Sequence, residues 1–242
     1  MPFSLLETWT LPPDVLGMID RPPEGYPLNP ELVSKFESLG DNCEFGFVQR
    51  FHEAEPSSLF RWATAPLHGV MIGLEDSWHN IYSWESLRPW AYEMAWDDQY
   101  QCAFHCAVHC DRSAEDQPFE FVLPDAERRA VWESDRPKFL HLRDKTLSSL
   151  KNADKIFVVK ANAGLSVEEC RRLKAALDLH GEHRLLCVLP HGETDLRGIG
   201  LLENNLKIAS ISQLASYSRV ELAAYGEWTS ILQAAVDTPW KV

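Results

Sequence analysis

Between Lys155 and Pro190 two apolar runs flank one capped helical segment, and that arrangement admits few folds. Lys155-Ile156-Phe157-Val158-Val159-Lys160 is apolar almost throughout, as in a strand covered on both faces. Asn162-Ala163-Gly164 turns the chain, Ser166 with Glu169 reads as a capping box, and Gly181 ends the helix. Val167, Cys170, Leu173 and Leu177 form that helix's inward stripe. Arg184-Leu185-Leu186-Cys187-Val188-Leu189-Pro190 supplies the second run, so residues 155 to 190 predict a βαβ unit with a right-handed parallel crossover. A third strand around Leu206 to Ile211 and a helix around Trp228 to Val236 complete the expectation. It is an α/β fold of three layers, with a mainly parallel sheet and helices on both faces.

The first third offers one more strand. In Lys35-Phe36-Glu37-Ser38-Leu39 the apolar residues alternate, while Phe47, Val48 and Phe51 recur at helical spacing. The Gly40-Asp41-Asn42 turn between them leaves Cys43 at a strand's end and in a helix's first turn, and this strand is expected to join the parallel sheet. Unpaired N–H groups and the helix dipole favour an anion there, which would lower the thiol's pKa and make thiolate its main form. Loops at the carboxyl ends of parallel strands carry the sites of such folds. Cys43, Asn162 and His191-Gly192-Glu193-Thr194-Asp195 are therefore expected along one rim.

Around this body the organisation is plainer. Residues 1 to 30 are proline-rich and predict an extended arm, leaving 31 to 242 as a single α/β domain. Pro66 can begin a helix bearing Leu67, Val70, Met71 and Leu74 on one face. Trp78, Trp84, Trp90 and Trp96 fall six apart by coincidence, with no repeat between them. They suit buried core better than a sugar-stacking or docking surface. Residues 125 to 152 predict a charged helical region interrupted near Pro137.

The 23 basic residues against 36 acidic ones give a net charge of −13, which repels phosphate backbones and anionic lipid surfaces. No nucleic-acid or membrane partner is expected. The start of the chain lacks a basic leader followed by an apolar run, and no stretch is long enough to span a bilayer. Six cysteines, three of them at 102, 106 and 110, fit reduced thiols better than a disulfide framework, so a cytoplasmic protein is expected.

Cys102 to Asp111 reads two ways. As a strand it buries Cys102, Phe104, Cys106, Val108 and Cys110 and presents Ala103, His105, Ala107, His109 and Asp111 on the other side. As a helix it aligns the three cysteines, but Cys-x3-Cys-x3-Cys on one element is not a zinc pattern, and no metal is expected.

The chemistry implied is nucleophilic. Cys43 thiolate attacks an acyl carbonyl, a histidine shuttles the proton and a carboxylate fixes its tautomer. His105 and His109 with Asp111 are one candidate set, and His191 with Asp195 is the other. Backbone donors after Gly40, with Asp41 and Asn42 nearby, would form an oxyanion hole, and Glu44 is a candidate general base.

Ser38-Leu39-Gly40-Asp41-Asn42-Cys43-Glu44, followed by Phe60-Arg61-Trp62, resembles the opening of a bacterial family of unestablished function described as papain-like cysteine peptidases. Its members carry Ser-Leu-Gly-x-x-Cys and then Phe-Asp-Trp. Phe104-His105 and the basic helix leading into Lys155-Ile156-Phe157-Val158 resemble its downstream features. The resemblance implies a cysteine acyl hydrolase with Arg61 and Trp62 near substrate, although Arg61 stands where the family has Asp and cannot take an acidic role. Gly40-Asp41-Asn42-Cys43 is also similar to the Gly-Asn-Cys turn of capsule-polysaccharide acetyltransferases, which would imply coenzyme A, and to the Gly-Asp-Ser turn of SGNH-type esterases. A small-molecule or peptide acyl substrate follows from either. The competing class is a non-catalytic accessory protein of bacterial polysaccharide biosynthesis, its crevice holding a sugar or nucleotide and Cys43 a packed thiol. The chain has no Gly-x-Gly-x-x-Gly and no phosphate loop, which weakens the nucleotide version.

Overall fold

A computed structural model describes residues 27–191 and 198–241. The proline-rich arm expected over 1 to 30 falls almost wholly outside the described residues. Five strands make the main sheet: β1 (Phe36–Ser38), β8 (Ile156–Lys160), β9 (Arg184–Pro190), β11 (Leu206–Ile211) and β10 (Ile199–Glu203), in that spatial order. The first four run parallel, and β10 closes one edge antiparallel to β11. The predicted βαβ unit is present, its helix α5 (Val167–Asp178) opened by the Ser166–Glu169 capping box.

Side chains alternate across this sheet with period two. Ile156, Val158, Leu186, Val188, Ala209 and Ile211 pack with α1 (Pro30–Val33), α2 (Glu44–Phe51) and α6 (Tyr225–Asp237). Phe157, Val159, Leu185, Cys187, Leu206 and Ile208 face the other way, toward α3 (Leu67–Asp76), α4 (Asp125–Asn152) and α5. Both faces are thus covered, which is why these strands read as unbroken apolar runs.

A second, antiparallel sheet was not expected. Its order is β2 (Ala63–Thr64), β5 (Cys102–His105), β4 (Met94–Asp97), β3 (Leu87–Ala91), and a short hairpin, β6 (Cys110–Asp111) with β7 (Glu120–Phe121), adjoins it. Cys102 to Asp111 follows the strand reading only in part: β5 and β6 are strands, residues 106–109 between them are not, and Ala103, expected on the polar side, is buried. Cys102, Phe104, Cys106, Val108 and Cys110 are buried, while His105, Ala107, His109 and Asp111 are exposed. Trp78 lies wholly in the core, whereas Trp90 is 37% exposed. The expected break near Pro137 is absent, since α4 runs unbroken through it. A missing N–H removes one hydrogen bond from a helix anchored on both sides by buried Trp132, Phe139, Thr146 and Leu150. Among the described residues no helix is long and apolar enough to cross a membrane.

Two buried histidines tie this packing to pH. His52 accepts the Asn29 N–H at Nδ1 (3.1 Å) and meets Thr229 Oγ1 through Nε2 (2.8 Å), and His183 packs edge-on against Phe157. Desolvation lowers both pKa values. A folded-state pKa below the unfolded one means the folded state binds fewer protons, so this stabilisation is full above about pH 6.5 and lost as pH falls below it. Buried Glu37 and Asp97, raised by desolvation, act with the opposite sign, so the histidine contribution is read against a variant. In denaturant titrations His183→Phe should lose less stability than the parent between about pH 6.5 and 5. Parallel curves would remove His183 from this account.

Candidate functional site

The turn after β1 is held by close packing. Leu39 N–H donates to Val158 O (2.8 Å), and Ala65 N–H donates to Asp41 O (2.9 Å). Gly40 sits at φ +99°, and a Cβ there would lie 2.3 Å from the Ala65 carbonyl oxygen, so the position excludes a side chain twice over.

Six charged or polar side chains converge behind this turn. Lys160, the last residue of β8, projects toward α2 and is fully buried. Its Nζ lies 3.1 Å from Glu44 Oε2 and 3.8 Å from Asp41 Oδ2, and donates to Asn162 Oδ1 at 2.6 Å. The other Glu44 oxygen accepts from Trp228 Nε1 of α6 (2.9 Å). Asp41 accepts from the Asn162 N–H (3.0 Å) and from the Tyr217 hydroxyl (2.5 Å), and Asn162 Nδ2 donates to Ala215 O (2.6 Å). The carboxyl ends of β1, β8 and β11 thus meet in one polar cluster, at the place where open parallel sheets take ligands. Tyr217 is 43% exposed and is the cluster's face to solvent. Desolvation and then the Asp41 charge push its phenol pKa up. Asn42 Oδ1 accepts from Glu44 N–H (3.0 Å), while its buried Nδ2 has no hydrogen-bond partner among the described residues.

Cys43 departs from expectation. It does cap the start of α2, but it is 7% exposed, and among the described residues its Sγ hydrogen-bonds the Ala63 carbonyl alone, at 3.9 Å. Burial pushes the thiol up to about 12, with Lys160 opposing, where the turn geometry had predicted a lowered value. Among the described residues no imidazole hydrogen-bonds this sulfur. His105 lies on β5, paired with Met94, and its carbonyl accepts from Lys138 (3.3 Å); desolvation lowers its pKa. His109 and Asp111 are exposed at the β6 hairpin, where Asp111 accepts the Arg112 N–H (2.8 Å). His191 is exposed at the end of β9, with its N–H bonded to Ile211 O (2.8 Å), and Asp195 lies outside the described residues.

Arg61 and Trp62 are engaged with neighbouring backbone and side chains. Arg61 donates to the carbonyls of Pro56 (3.1 Å), Ala54 (3.0 Å) and Gly46 (3.4 Å) and pairs with Glu55. Trp62 packs edge-on against Phe47, with the Arg50 guanidinium 4.4 Å from its ring centre. Cys102, Cys106 and Cys110 each point their sulfur at a different carbonyl, of Tyr100, Val108 and Met94. Burial raises all three thiols, and Cys110 reaches about 11.

No family model, curated protein or solved structure matches this chain. The site is therefore read from its own geometry. Sequence reasoning named Asp41, Asn42 and Glu44 but passed over Lys160 and Tyr217. A lysine closing an apolar run was the available signal for Lys160, whereas nothing in the sequence marked Tyr217.

The buried ion pair gives a test. Lys160→Met would leave the Glu44 carboxylate buried and unpaired, at a cost of about 3–5 kcal/mol in urea unfolding. Adding Glu44→Gln should recover part of that loss, and simple additivity of the two changes would contradict the pairing.

Proposed function

We propose that this protein is a non-catalytic binding protein whose ligand is a sugar, held at the carboxyl edge of the parallel sheet. The observation that carries this reading is the half-exposed Tyr217 residue, whose hydroxyl donates to the buried Asp41 carboxylate, backed by the buried Lys160–Glu44 pair. A carboxylate and a phenol at the carboxyl edge of a parallel sheet are suited to bind hydroxyl groups, which both donate and accept. Glucose, galactose and N-acetylglucosamine are the probes, with UDP-glucose as the anionic control. A binder at 100-fold excess over its Kd adds about 2.7 kcal/mol of stability, read as a raised Tm. Tyr217→Phe should abolish most of that shift. A shift identical in the variant, or none with any probe, would count against the site.

Cysteine acyl hydrolysis or transfer, as the family resemblance implies, is the second reading. One observation favours it: Cys43 opens α2 with no side-chain cap, and the Lys160 charge pulls its pKa down against burial. Alkylation against pH separates the two. With a thiol near 12, about one molecule in 10⁵ is thiolate at pH 7, so iodoacetamide should label Cys43 hardly at all below pH 9. A labelling midpoint well below 8 would restore the nucleophile.

A further inference from the structure

The second sheet carries an aromatic surface that this reading does not use. Trp90 stacks on Trp96 across β3 and β4, with ring centres 4.7 Å apart and planes at 27°. The pairing register shifts between Pro89 and Ala91, so Trp90 is the extra residue of a bulge, and bulges re-aim side chains. Trp90 and Tyr92 remain 37% and 40% exposed. Arg88, cross-strand from Trp96, pairs its Nε with Asp98 Oδ2 at 2.8 Å, both side chains about half exposed.

We propose that this bulged face is a stacking subsite for a neutral oligosaccharide. The C–H edges of a sugar ring carry partial positive charge and fit the negative face of an indole. Arg88 and Asp98 offer donors and acceptors to adjacent hydroxyls while summing to no charge, so nothing here selects an anion. A chain of net charge −13 adds a general repulsion against one. A second copy pairing with edge strand β3 is disfavoured, because Pro89 lacks an N–H and Arg88 places a charge on that edge.

The surface belongs to a different sheet from the Tyr217 cluster, so the two tests fail independently. Cellohexaose, maltohexaose and chitohexaose are titrated into the protein while its tryptophan fluorescence is followed, with dextran sulfate as the charged control. At least one neutral hexasaccharide should bind, and Trp90→Ala should weaken it about fivefold to tenfold, the worth of one stacked ring. Trp90→Phe should retain most of the affinity, and Tyr217→Phe all of it. Arg88→Ala should also weaken binding, which keeps the test open if Trp90→Ala does not fold. No response to any neutral probe, an equal response to dextran sulfate, affinity unchanged by both variants, or a dimer in sedimentation that Trp90→Ala dissociates would each overturn the proposal.

Discussion

The end of β8 is fixed by a charge with no access to water. Moving an ammonium and a carboxylate out of water costs several kcal/mol each, and their attraction offsets this only with good geometry and further hydrogen bonds. Lys160 and Glu44 have part of this: Asn162 accepts from the ammonium and Trp228 donates to one carboxylate oxygen, while the other, 3.1 Å from the ammonium, makes no hydrogen bond among the described residues. The cluster therefore ties the end of β8, the start of α2 and the first turn of α6 together. Well-packed apolar residues in place of such a pair are often neutral or stabilising, so the pair's presence is weak evidence for stability. The pair lies beside the contact between Asp41 and Tyr217.

The same burial explains why a thiol at a helix start is not acidic here. A helix N-terminus stabilises a nearby anion by about 0.3–1 kcal/mol, and by about 2 kcal/mol in favourable buried geometries. A thiol pushed to about 12 from the ordinary 9 reflects roughly 4 kcal/mol against the thiolate. Desolvation is therefore the larger effect, and the Lys160 charge does not reverse it. Turn geometry predicts the sign of the dipole's contribution and nothing about how deeply the sulfur is covered.

That distinction runs through what the sequence made legible. The parallel sheet was readable because strands covered on both faces leave continuous apolar runs, and the β8–α5–β9 unit carries its own capping signals. β3 and β4 were not. They are short, β3 contains Pro89 and a bulge, and the turns around them use Tyr82 and Gln101 at positive φ, residues that do not announce a turn. Edge strand β10 escaped for a similar reason, its residues being half-buried on both sides with no alternation to detect. At the site, Asp41, Asn42 and Glu44 were found because they adjoin a conspicuous turn. Tyr217 lies 176 residues from Asp41, and only the fold of β11 brings it there.

The two surfaces are joined mechanically through β2. Its Ala63 pairs with Phe104 of β5 while the Ala63 carbonyl faces Cys43, and Ala65, just beyond, accepts the close approach of Gly40 and bonds Asp41. The turn carrying the rim is thus clamped to the sheet that carries the aromatic face. Neither is an appended loop: moving Gly40 means moving Ala65, and through β5 and β4 the displacement reaches Trp96. The two proposed sites therefore rest on one packed frame, with Tyr217 exposed at the first and Trp90, Arg88 and Asp98 exposed at the second.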